Sequence, residues 1–526
     1  MKVIIPMAGK GKRYNEVYFN TPKPLIEIDG KPMIEHVVNL FSPEDEFIFI
    51  CNETDLEKTN LRQVLQGISP NGKIIAVSFE KIRYGPVYSC AEAFDLINDD
   101  EEVIVNYCDF TQKWDYKNFL HTVRTKRCDG AIPSFRGFHP ASLGDTYYAY
   151  MKIDENNYVT ELREKESFSE NRMEDFSSTG TYYFKKGALL KEYAKRVIET
   201  GFNVKGEAYL TLPFILMLRD GLKILNYEVN KFICWGTPRD YEIYKFWSEF
   251  FFSCSGQVVG FNNVNIKTTN IFPLAGDERT FISLGMNLPD FLIPVMNQPL
   301  ISLTVNSHPK GINNIFLYLE KHKEEFKVDS LLKQIFHGGK IIYLPAKTGG
   351  NAETILYAEN EVEKKSPVCI SGNNYILRYD ERKLSHLFEN EKVDVIILTF
   401  THHECVLRNP YKYAYVLVDN NKALFISEKE QISPHPYRDH AVTGTVIYRQ
   451  ASDLFESIKE MLLELKEKKS YFTTAINKLI EKGKNVVVFE VDKFISLNSP
   501  LDYQEFVYWQ DYFDSLPYHP YSKMVH

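Results

Sequence analysis

The chain has 526 residues, a formal net charge of -8 and an apolar fraction of 44%. This length exceeds what one ordinary core can use and predicts two or more domains, while the apolar fraction excludes a largely disordered chain. A net negative chain lacks the broad basic face that binding to a phosphate backbone needs. We therefore expect no nucleic acid partner.

The sequence also gives an expectation for the cellular compartment of the protein. It has no apolar run of about 18 residues, and it begins in a core strand instead of a signal peptide, so we expect neither a membrane span nor a secreted protein. Its 8 cysteines lack CxxC or Cys/His spacing, which is typical of reduced thiols and not of a zinc site or a disulfide framework. We expect a cytoplasmic protein with no membrane partner; the oligomeric state stays open, a homo-oligomer included.

The first 13 residues combine a strand with a glycine loop. Val3-Ile4-Ile5 is typical of a buried parallel strand. The loop after it carries Gly9 and Gly11, and glycine lets successive backbone N–H groups form an anion-binding nest. Three cations are interleaved with these glycines: Lys10, Lys12 and Arg13. The pattern predicts a site for a phosphate chain.

A second signal follows a short loop. Pro22 and Pro24 flank Lys23 and fix the local backbone, so that the ammonium has little freedom except to project. The order of strand, AGKGKR at 8–13, PKPL at 22–25 and GKPMI at 30–34 resembles the signature of the sugar nucleotidyltransferases, or NDP-sugar pyrophosphorylases.

Enzymes of that family join a nucleoside triphosphate (NTP) to a sugar phosphate, or a similar phosphorylated small molecule, and release pyrophosphate. The family usually has Thr before the Arg of this loop, and here Lys12 adds a cation beside the triphosphate. The resemblance implies Mg²⁺ as cofactor, an NTP and a small phosphorylated acceptor as partners, and capsule or cell-envelope precursor synthesis as context. Neither the nucleotide nor the acceptor is specified.

The chain contains an internal repeat. The first stretch recurs without a gap at a spacing of 267 residues, and later anchors stay in register. The matching pairs include Pro6 with Pro273, Pro22 with Pro289, Pro32 with Pro299, Thr179-Gly180 with Thr443-Gly444, Tyr209 with Tyr471, and Asp240 with Asp502. We predict a catalytic nucleotidyltransferase domain at 1–255 and a degenerate, non-catalytic copy at 256–526.

Within each copy, short apolar strands alternate with segments of helical spacing, which predicts βαβ units. In the first copy we expect strands at 46–51, 73–78 and 102–106, and helical segments at 55–65 and 89–97. We therefore expect an α/β fold of two tandem Rossmann-like nucleotidyltransferase domains. Each should be a mixed, mostly parallel sheet flanked by helices, with an antiparallel portion at 147–184 that covers the acceptor. Ligands of such sheets bind beyond the carboxyl ends of the strands, where the glycine loop falls.

The resemblance assigns roles on the nucleotide side. Nucleotide binding falls to Ala8, Gly9, Gly11, Lys12, Arg13 and Gly85. Arg13 should stabilise the β- and γ-phosphates, and Lys23 the charge that builds at the α-phosphate. Glu80 is a candidate for accepting a hydrogen bond from a base amino group; a solvated glutamate at a strand end is the alternative.

Metal and acceptor residues follow by the same resemblance. Asp109 ends a strand and is expected to hold Mg²⁺ at the border of the acceptor. Relatives often have a second metal-binding Asp shortly before a Gly-Thr pair, where this chain has Cys234-Trp235. Asp240 is then the candidate second ligand, with a helix N-cap as its rival role. Acceptor binding is assigned to Glu164, Lys165, Gly180 and Glu207, with Lys165 holding the nucleophilic phosphate.

We expect an in-line attack of the acceptor phosphate on the α-phosphorus, with catalysis by positioning and charge stabilisation. The alternative is a non-catalytic regulatory or scaffolding protein, because the segments at Gly85 and Cys234 depart from the family pattern. A glycosyltransferase ranks lower, because such enzymes usually hold the metal with a DxD motif and the sequence around Asp109 is not one.

The second copy has lost the catalytic groups. In register, Gly11, Arg13, Lys23 and Asp109 are replaced by Glu278, Thr280, Asp290 and Asn374. Each carboxylate would repel a phosphate chain at close range by about 1–4 kcal/mol. Two interpretations remain open for this copy: a structural partner, or a binding site for a small ligand that lacks a triphosphate.

Overall fold

The computed structural model describes residues 1–9, 11, 14, 21–255, 266–276, 278–336, 339–390, 392–464 and 469–523. The chain divides into two compact units. Unit 1 comprises Met1–Phe252 and Tyr508–His526, and unit 2 comprises Ser253–Val507. Within the described ranges, no helix combines the length and apolar character needed to cross a membrane.

Unit 1 is built on a sheet of short strands. Its strands are β1 (Lys2–Pro6), β2 (Glu27–Ile28), β3 (Lys31–Pro32), β4 (Glu46–Asn52), β5 (Lys73–Val77), β6 (Val103–Asn106), β7 (Phe110–Lys113), β8 (Gly130–Phe135), β9 (Ala149–Ile153), β10 (Val159–Glu164), β11 (Phe176–Ser178), β12 (Thr181–Phe184), β13 (Ile224–Glu228) and β14 (Lys231–Cys234). The helices that begin in it are α1 (Met33–Val38), α2 (Glu53–Lys58), α3 (Leu61–Ile68), α4 (Phe79–Ile82), α5 (Pro86–Ala91), α6 (Tyr116–Lys126), α7 (Gly187–Thr200), α8 (Thr211–Arg219) and α9 (Pro238–Ser255).

The main sheet of unit 1 is mixed and has the order β10-β9-β11-β8-β12-β6-β1-β4-β5, with β13 paired to β8. The strands β1, β4, β5 and β6 run parallel. Side chains alternate along β1, so that Ile4 packs in one apolar cluster with α7 and α8, and Val3 packs in another with α1, α3 and α6. Both faces are therefore covered by helices, and the predicted fold class is confirmed.

An antiparallel portion lies on the other side of β6. There β12 runs antiparallel to β6, and β9, β10 and β11 continue the sheet in antiparallel register. This confirms the antiparallel pairing predicted for 147–184. It brings the end of β10 to the same side of unit 1 as the loops after β1 and β6, and these three places carry most of the candidate site.

The end of the chain belongs to unit 1 as well. The buried Tyr508 hydroxyl donates to Phe232 O at 2.9 Å and accepts from Phe232 N at 3.0 Å, and His139 Nδ1 lies 2.9 Å from the same oxygen. The Tyr508 hydroxyl group therefore hydrogen-bonds both the backbone N–H and the carbonyl oxygen of Phe232 in β14. Tyr508 thus packs beside β14, which leads directly into the candidate site.

Unit 2 repeats this architecture. Its strands are β15 (Thr269–Pro273), β16 (Pro294–Val295), β17 (Gln298–Pro299), β18 (Asn313–Leu319), β19 (Lys340–Leu344), β20 (Val368–Ile370), β21 (Tyr375–Arg378), β22 (Val395–Phe400), β23 (Ala414–Asp419), β24 (Lys422–Glu428), β25 (His440–Tyr448), β26 (Val486–Glu490) and β27 (Lys493–Ser496). The helices that begin in it are α10 (Leu300–Asn306), α11 (Glu320–Phe326), α12 (Val328–Ile335), α13 (Asn351–Leu356), α14 (Glu381–Glu389), α15 (Glu404–Arg408), α16 (Ala451–Glu464), α17 (Phe472–Glu481) and α18 (Pro500–Asp514).

The main sheet of unit 2 has the order β19-β18-β15-β20-β25-β22-β26-β24-β23. Its parallel core β20-β15-β18-β19 corresponds to β6-β1-β4-β5, and the single strand β25 takes the place of β11 and β12. The internal repeat in the sequence is therefore a repeat of the fold.

Candidate active site

A cavity of about 1110 Å³ opens in unit 1 beyond the carboxyl ends of β1 and β6, where ligands of open α/β sheets bind. The residues predicted from the sequence that line it are Ala8, Gly9, Gly11, Lys23, Gly85, Asp109, Glu164, Lys165, Gly180, Glu207 and Asp240. Segments far apart in sequence therefore meet around one space. Its two ends differ in chemistry.

Lys23 lies at one end of the cavity. It begins a short 3-10 helix, Lys23–Leu25, and Pro22 before it is held at φ -55° and ψ 136°. The Lys23 ammonium donates to Asp109 Oδ2 at 2.5 Å and to Gly236 O at 2.8 Å. Burial lowers the pKa of Lys23, but the adjacent Asp109 carboxylate outweighs that effect and the pKa is raised. The side chain is a fixed cation at neutral pH.

Two carboxylates face one small space beside Gly236. A Cβ placed on Gly236 would lie 3.7 Å from Asp109 Oδ2 and 3.8 Å from Asp240 Oδ2. Oxygen ligands of this kind are what Mg²⁺ prefers, with the remaining positions filled by phosphate oxygens and water. In the described part of the chain, no cluster of three or more His, Cys, Asp or Glu side chains could hold a metal ion by itself. The donor set therefore fits Mg²⁺ brought in with a phosphorylated substrate.

Asp240 also has a structural role. Its Oδ2 accepts from Thr237 N at 3.0 Å and Thr237 Oγ1 at 2.7 Å, and Thr237 Oγ1 accepts from Asp240 N at 3.2 Å. This is a capping box at the start of α9. Burial raises the pKa of Asp240, and the hydrogen bonds from Thr237 only partly oppose that effect. The rival role expected from the sequence was the N-cap itself, but Thr237 is the N-cap and Asp240 lies in the first turn of α9. Metal binding by Asp240 stays a prediction.

Cys234 and Trp235 occupy the place where relatives often have an acid. The Trp235 ring is fully buried and packs edge-on against Tyr244. Cys234 Sγ would lie 3.1 Å from a Cβ on Gly236, and burial raises the pKa of this thiol well above its ordinary value. A protonated thiol is a poor ligand for Mg²⁺, so the candidate ligands remain the two carboxylates.

Glu164 and Lys165 lie at the opposite end of the cavity. Glu164 is the last residue of β10, and its carboxyl accepts a hydrogen bond from Thr211 Oγ1. Lys165 has φ 60°, which turns its side chain so that the ammonium lies 2.5 Å from Tyr147 O and 5.0 Å from the centroid of the Tyr209 ring. Burial raises the pKa of Glu164. A partly exposed cation thus stands beside a buried carboxyl group.

Glycines give the cavity wall its shape at two points. Gly180 has φ 100°, and a Cβ there would lie 2.8 Å from the Tyr107 ring. Gly85 has φ 123°, and a Cβ there would lie 2.7 Å from Ala208 N. Both positions therefore require glycine. Glu207 is exposed and lines the cavity next to Ala208.

The structure does not bring Glu80 into the cavity. Its side chain is 75% exposed and pairs with Arg83 at 3.1 Å. Glu80 lies in the first turn of α4, where a carboxylate is favoured by the helix dipole, and not at the end of a strand. The three loop cations, Lys10, Lys12 and Arg13, lie outside the described residues.

Tyr14, Lys205 and Arg239 are among the lining residues that were not predicted from the sequence. The Tyr14 hydroxyl lies 2.7 Å from Trp235 O and 2.8 Å from Thr237 O, so it holds the loop around Gly236. Lys205 and Arg239 add cations to the cavity wall. Lys205 lies outside any recognisable motif. A single basic residue of this kind does not predict a binding site from the sequence.

A family model described as nucleotidyl transferase matches residues 2–202 and 276–514. The chain belongs to the nucleotidyl transferase family. The two matched stretches fall in the two halves of the chain, which confirms the resemblance drawn from 3–38 and the tandem arrangement.

Several known proteins are similar to this nucleotidyl transferase. The "Bifunctional protein GlmU" of Methanocaldococcus jannaschii is 25% identical over 231 residues, which is 43% of this chain and 50% of that protein. The chain spans half or less of the length of the curated relatives it matches. A solved nucleoside-diphosphate-sugar pyrophosphorylase from Vibrio cholerae RC9 has 20% identity and a TM-score of 0.39, covering 46% of this chain and 98% of that one. The inositol-1-phosphate CTP transferase from T. maritima has 14% identity and a TM-score of 0.35, covering 46% and 94%.

Proposed function

We propose that unit 1 transfers a nucleoside monophosphate from an NTP to a sugar phosphate, or a similar small phosphorylated acceptor, and releases pyrophosphate. The observation that carries this proposal is one cavity with a lysine at each of its two ends. Lys23 stands beside two carboxylates at one end, and Lys165 stands beside Glu164 at the other. Two phosphorylated substrates need two such ends.

In the proposed reaction, an oxygen of the acceptor phosphate attacks the α-phosphorus of the NTP and forms a new P–O bond. The bond from the α-phosphorus to the oxygen of the β-phosphate breaks, and its electron pair leaves with pyrophosphate. The nucleophile is already an anion, so no side chain has to remove a proton. The protein's part is to position both phosphates and to stabilise charge.

The residues take separate roles in this scheme. Lys23 stabilises charge at the α-phosphate, and Arg13 from the glycine loop stabilises the β- and γ-phosphates. Lys165 holds the attacking phosphate, and Glu164 orients acceptor hydroxyl groups. Mg²⁺, held by Asp109 and Asp240, would neutralise charge on the phosphate chain when bound.

The remaining parts of the proposal concern unit 2 and the setting. Unit 2 is non-catalytic in this scheme, because Asp290 replaces Lys23 and Asn374 replaces Asp109. The eight cysteines are free thiols and seven of them are buried, which supports a reducing compartment such as the cytoplasm.

The test is pyrophosphate release by the full chain with each of the four NTPs, Mg²⁺ and a panel of sugar and polyol phosphates. We expect release with one combination and its loss in Asp109→Asn. Binding of NTP without release from any combination would favour the non-catalytic regulatory alternative. Release that persists in Asp109→Asn at the wild-type rate would show that the active site lies elsewhere.

A further inference from the structure

Unit 2 reproduces the acceptor end of the unit 1 cavity. Glu428 is the last residue of β24, and its Oε2 accepts a hydrogen bond from Thr473 Oγ1 at 2.5 Å. Lys429 follows with φ 57°, and its ammonium lies 4.6 Å from the centroid of the Tyr471 ring. These are the contacts that Glu164, Lys165, Tyr209 and Thr211 make in unit 1.

The backbone around this cluster matches as well. Lys429 N donates to Tyr413 O at 3.1 Å, as Lys165 N does to Tyr148 O at 2.9 Å. Glu428 pairs with Ala414 across the strands, as Glu164 pairs with Ala149. The glycine of the facing wall is retained too: Gly444 has φ 97° where Gly180 has φ 100°.

The triphosphate end of unit 2 is closed by its own side chains. The Asp290 carboxylate accepts from Thr280 N at 2.9 Å and from Thr280 Oγ1 at 2.7 Å. Glu278 pairs with Lys347 at 2.5 Å. The counterpart of Asp240 is Asp502, which lies 3.7 Å from the Arg408 guanidinium. Carboxylates and an internal ion pair therefore stand where a phosphate chain and its metal would bind.

Lys429 differs from Lys165 in what surrounds its charge. The Lys165 ammonium lies 3.7 Å from Glu164 Oε1 and 2.5 Å from Tyr147 O. For Lys429, no carboxylate oxygen in the described part of the chain lies within 4 Å of the ammonium. The Lys429 backbone lies at φ 57°, in the left-handed region that a lysine rarely adopts. This conformation places an exposed cation over an aromatic ring, beside a carboxyl group that is already hydrogen-bonded to Thr473, and such an arrangement suits a ligand anion.

We infer that unit 2 binds a sugar phosphate of the acceptor class without catalysing transfer, with Lys429 on the phosphate, and Glu428 and Tyr471 against the sugar. The choice of ligand class rests on the acceptor role proposed for Lys165. Binding at Lys429 itself does not require unit 1 to be active.

The test is isothermal titration of the full chain, without nucleotide, using glucose 1-phosphate and inositol 1-phosphate as separate probes. We expect two sites per chain for at least one probe. Lys429→Ala should weaken one of them by about tenfold to 100-fold, the usual effect of losing a charged hydrogen bond, and Lys165→Ala should weaken the other. Lys422→Ala is the matched control, because it removes an exposed lysine at the far end of the same strand.

The outcomes separate the two proposals. One site that is lost in Lys165→Ala and kept in Lys429→Ala would overturn this inference and leave the proposed function intact. One site that is lost only in Lys429→Ala would support the inference and contradict the acceptor role of Lys165. Two sites that Lys429→Ala leaves unchanged, or no site for either probe, would overturn the inference. In each case Lys429→Ala must keep the wild-type melting temperature, which shows that the variant is folded. Lys429→Arg is the second variant; it keeps the positive charge and should keep the binding.

Discussion

Replacing Lys23 by methionine should change catalysis and metal binding in opposite directions. In the structure the Lys23 ammonium donates a hydrogen bond to Asp109 Oδ2 at 2.5 Å. The Asp109 carboxylate is also the group expected to bind Mg²⁺. The two side chains are only 16% and 32% exposed, so the pair is weakly screened by water. Any cation that binds Asp109 has to compete with this ammonium.

The magnitude follows from the strength of the contact. A hydrogen bond to a charged group contributes about 1.5–3 kcal/mol. Lys23→Met removes this competition, and Mg²⁺ should bind the nucleotide-free protein about tenfold to 100-fold more tightly, at 1.4 kcal/mol per factor of ten. Turnover should nevertheless fall about 100-fold or more, because the cation that meets charge at the α-phosphate is gone.

The assay combines titration of the nucleotide-free protein with MgCl₂ and steady-state pyrophosphate release. Lys31→Met is the control, since Lys31 is a partly exposed lysine whose partner is Glu35 on α1, outside the cavity. Because the pKa of Lys23 is raised from 10.5, the stabilising contribution of the pair is fully present below that value. It is lost only as the pH rises through the raised pKa, so assays between pH 7 and about 9 compare intact ion pairs. Weaker Mg²⁺ binding in Lys23→Met, or unchanged turnover, would refute this account of the Lys23–Asp109 pair.

Three further results are expected. Asp109→Asn should reduce Mg²⁺-dependent pyrophosphate release at least 100-fold and also lower the melting temperature, because it removes the counter-charge of Lys23; full activity in this variant would exclude Asp109 as a ligand. Burial raises the pKa of Glu164 above 4.5, so protonation of this group stabilises the folded state below pH 4.5, and that stabilisation is lost as the pH rises through the raised pKa. The unfolding free energy of Glu164→Gln, measured in urea, should therefore fall less over this pH range than that of the wild type. An equal fall in both proteins would contradict the prediction. Gly85→Ala, with φ 123° and a Cβ 2.7 Å from Ala208 N, should lose about 1–3 kcal/mol of unfolding free energy, whereas Gly67→Ala, in a helix with open space around it, should not be destabilised.

The secondary structure of unit 1 could be predicted well where periodicity dominates, and less well where a side chain interrupts it. The strand predicted at 46–51 is Glu46–Asn52, and that predicted at 73–78 is Lys73–Val77. A continuous helix over 55–65 is wrong, because the chain breaks at Thr59, which is extended. Thr59 Oγ1 donates to Asp55 O at 2.6 Å and accepts from Leu61 N at 3.2 Å, which ends one helix and starts the next. This competition of a hydroxyl with the backbone has no periodic signature.

The candidate site was predictable to the extent that its chemistry lies in contiguous motifs. The PKPL motif and the aspartate after β6 can be recognised in the sequence. The contact between Lys23 and Asp109 cannot, because the two residues come together only through the pairing of β1 with β6. The idea that Glu80 faces the base depended on its lying at a strand end. Once Phe79–Ile82 form a helical turn, the same side chain points to solvent and pairs with Arg83.

The two ends of the site can therefore be lost or kept separately, and the sequence indicates the loss of one end more clearly than the retention of the other. The triphosphate end depends on the residue type at single positions, so a change such as Lys23 to Asp290 is legible as a reversal of charge. The acceptor end depends on a lysine whose backbone has positive φ, a threonine near the start of a helix and the glycine of a facing strand. These three residues come together only in the folded chain. The register of the repeat aligns Lys429 with Lys165, but a charge run of this kind is also typical of a solvated loop. The backbone torsion φ of 57° and the contact of Lys429 with the Tyr471 ring distinguish the two. For this reason the proposed loss of catalysis in unit 2 does not imply loss of binding, because in the proposed scheme the groups that were replaced and the groups that were kept serve different substrates.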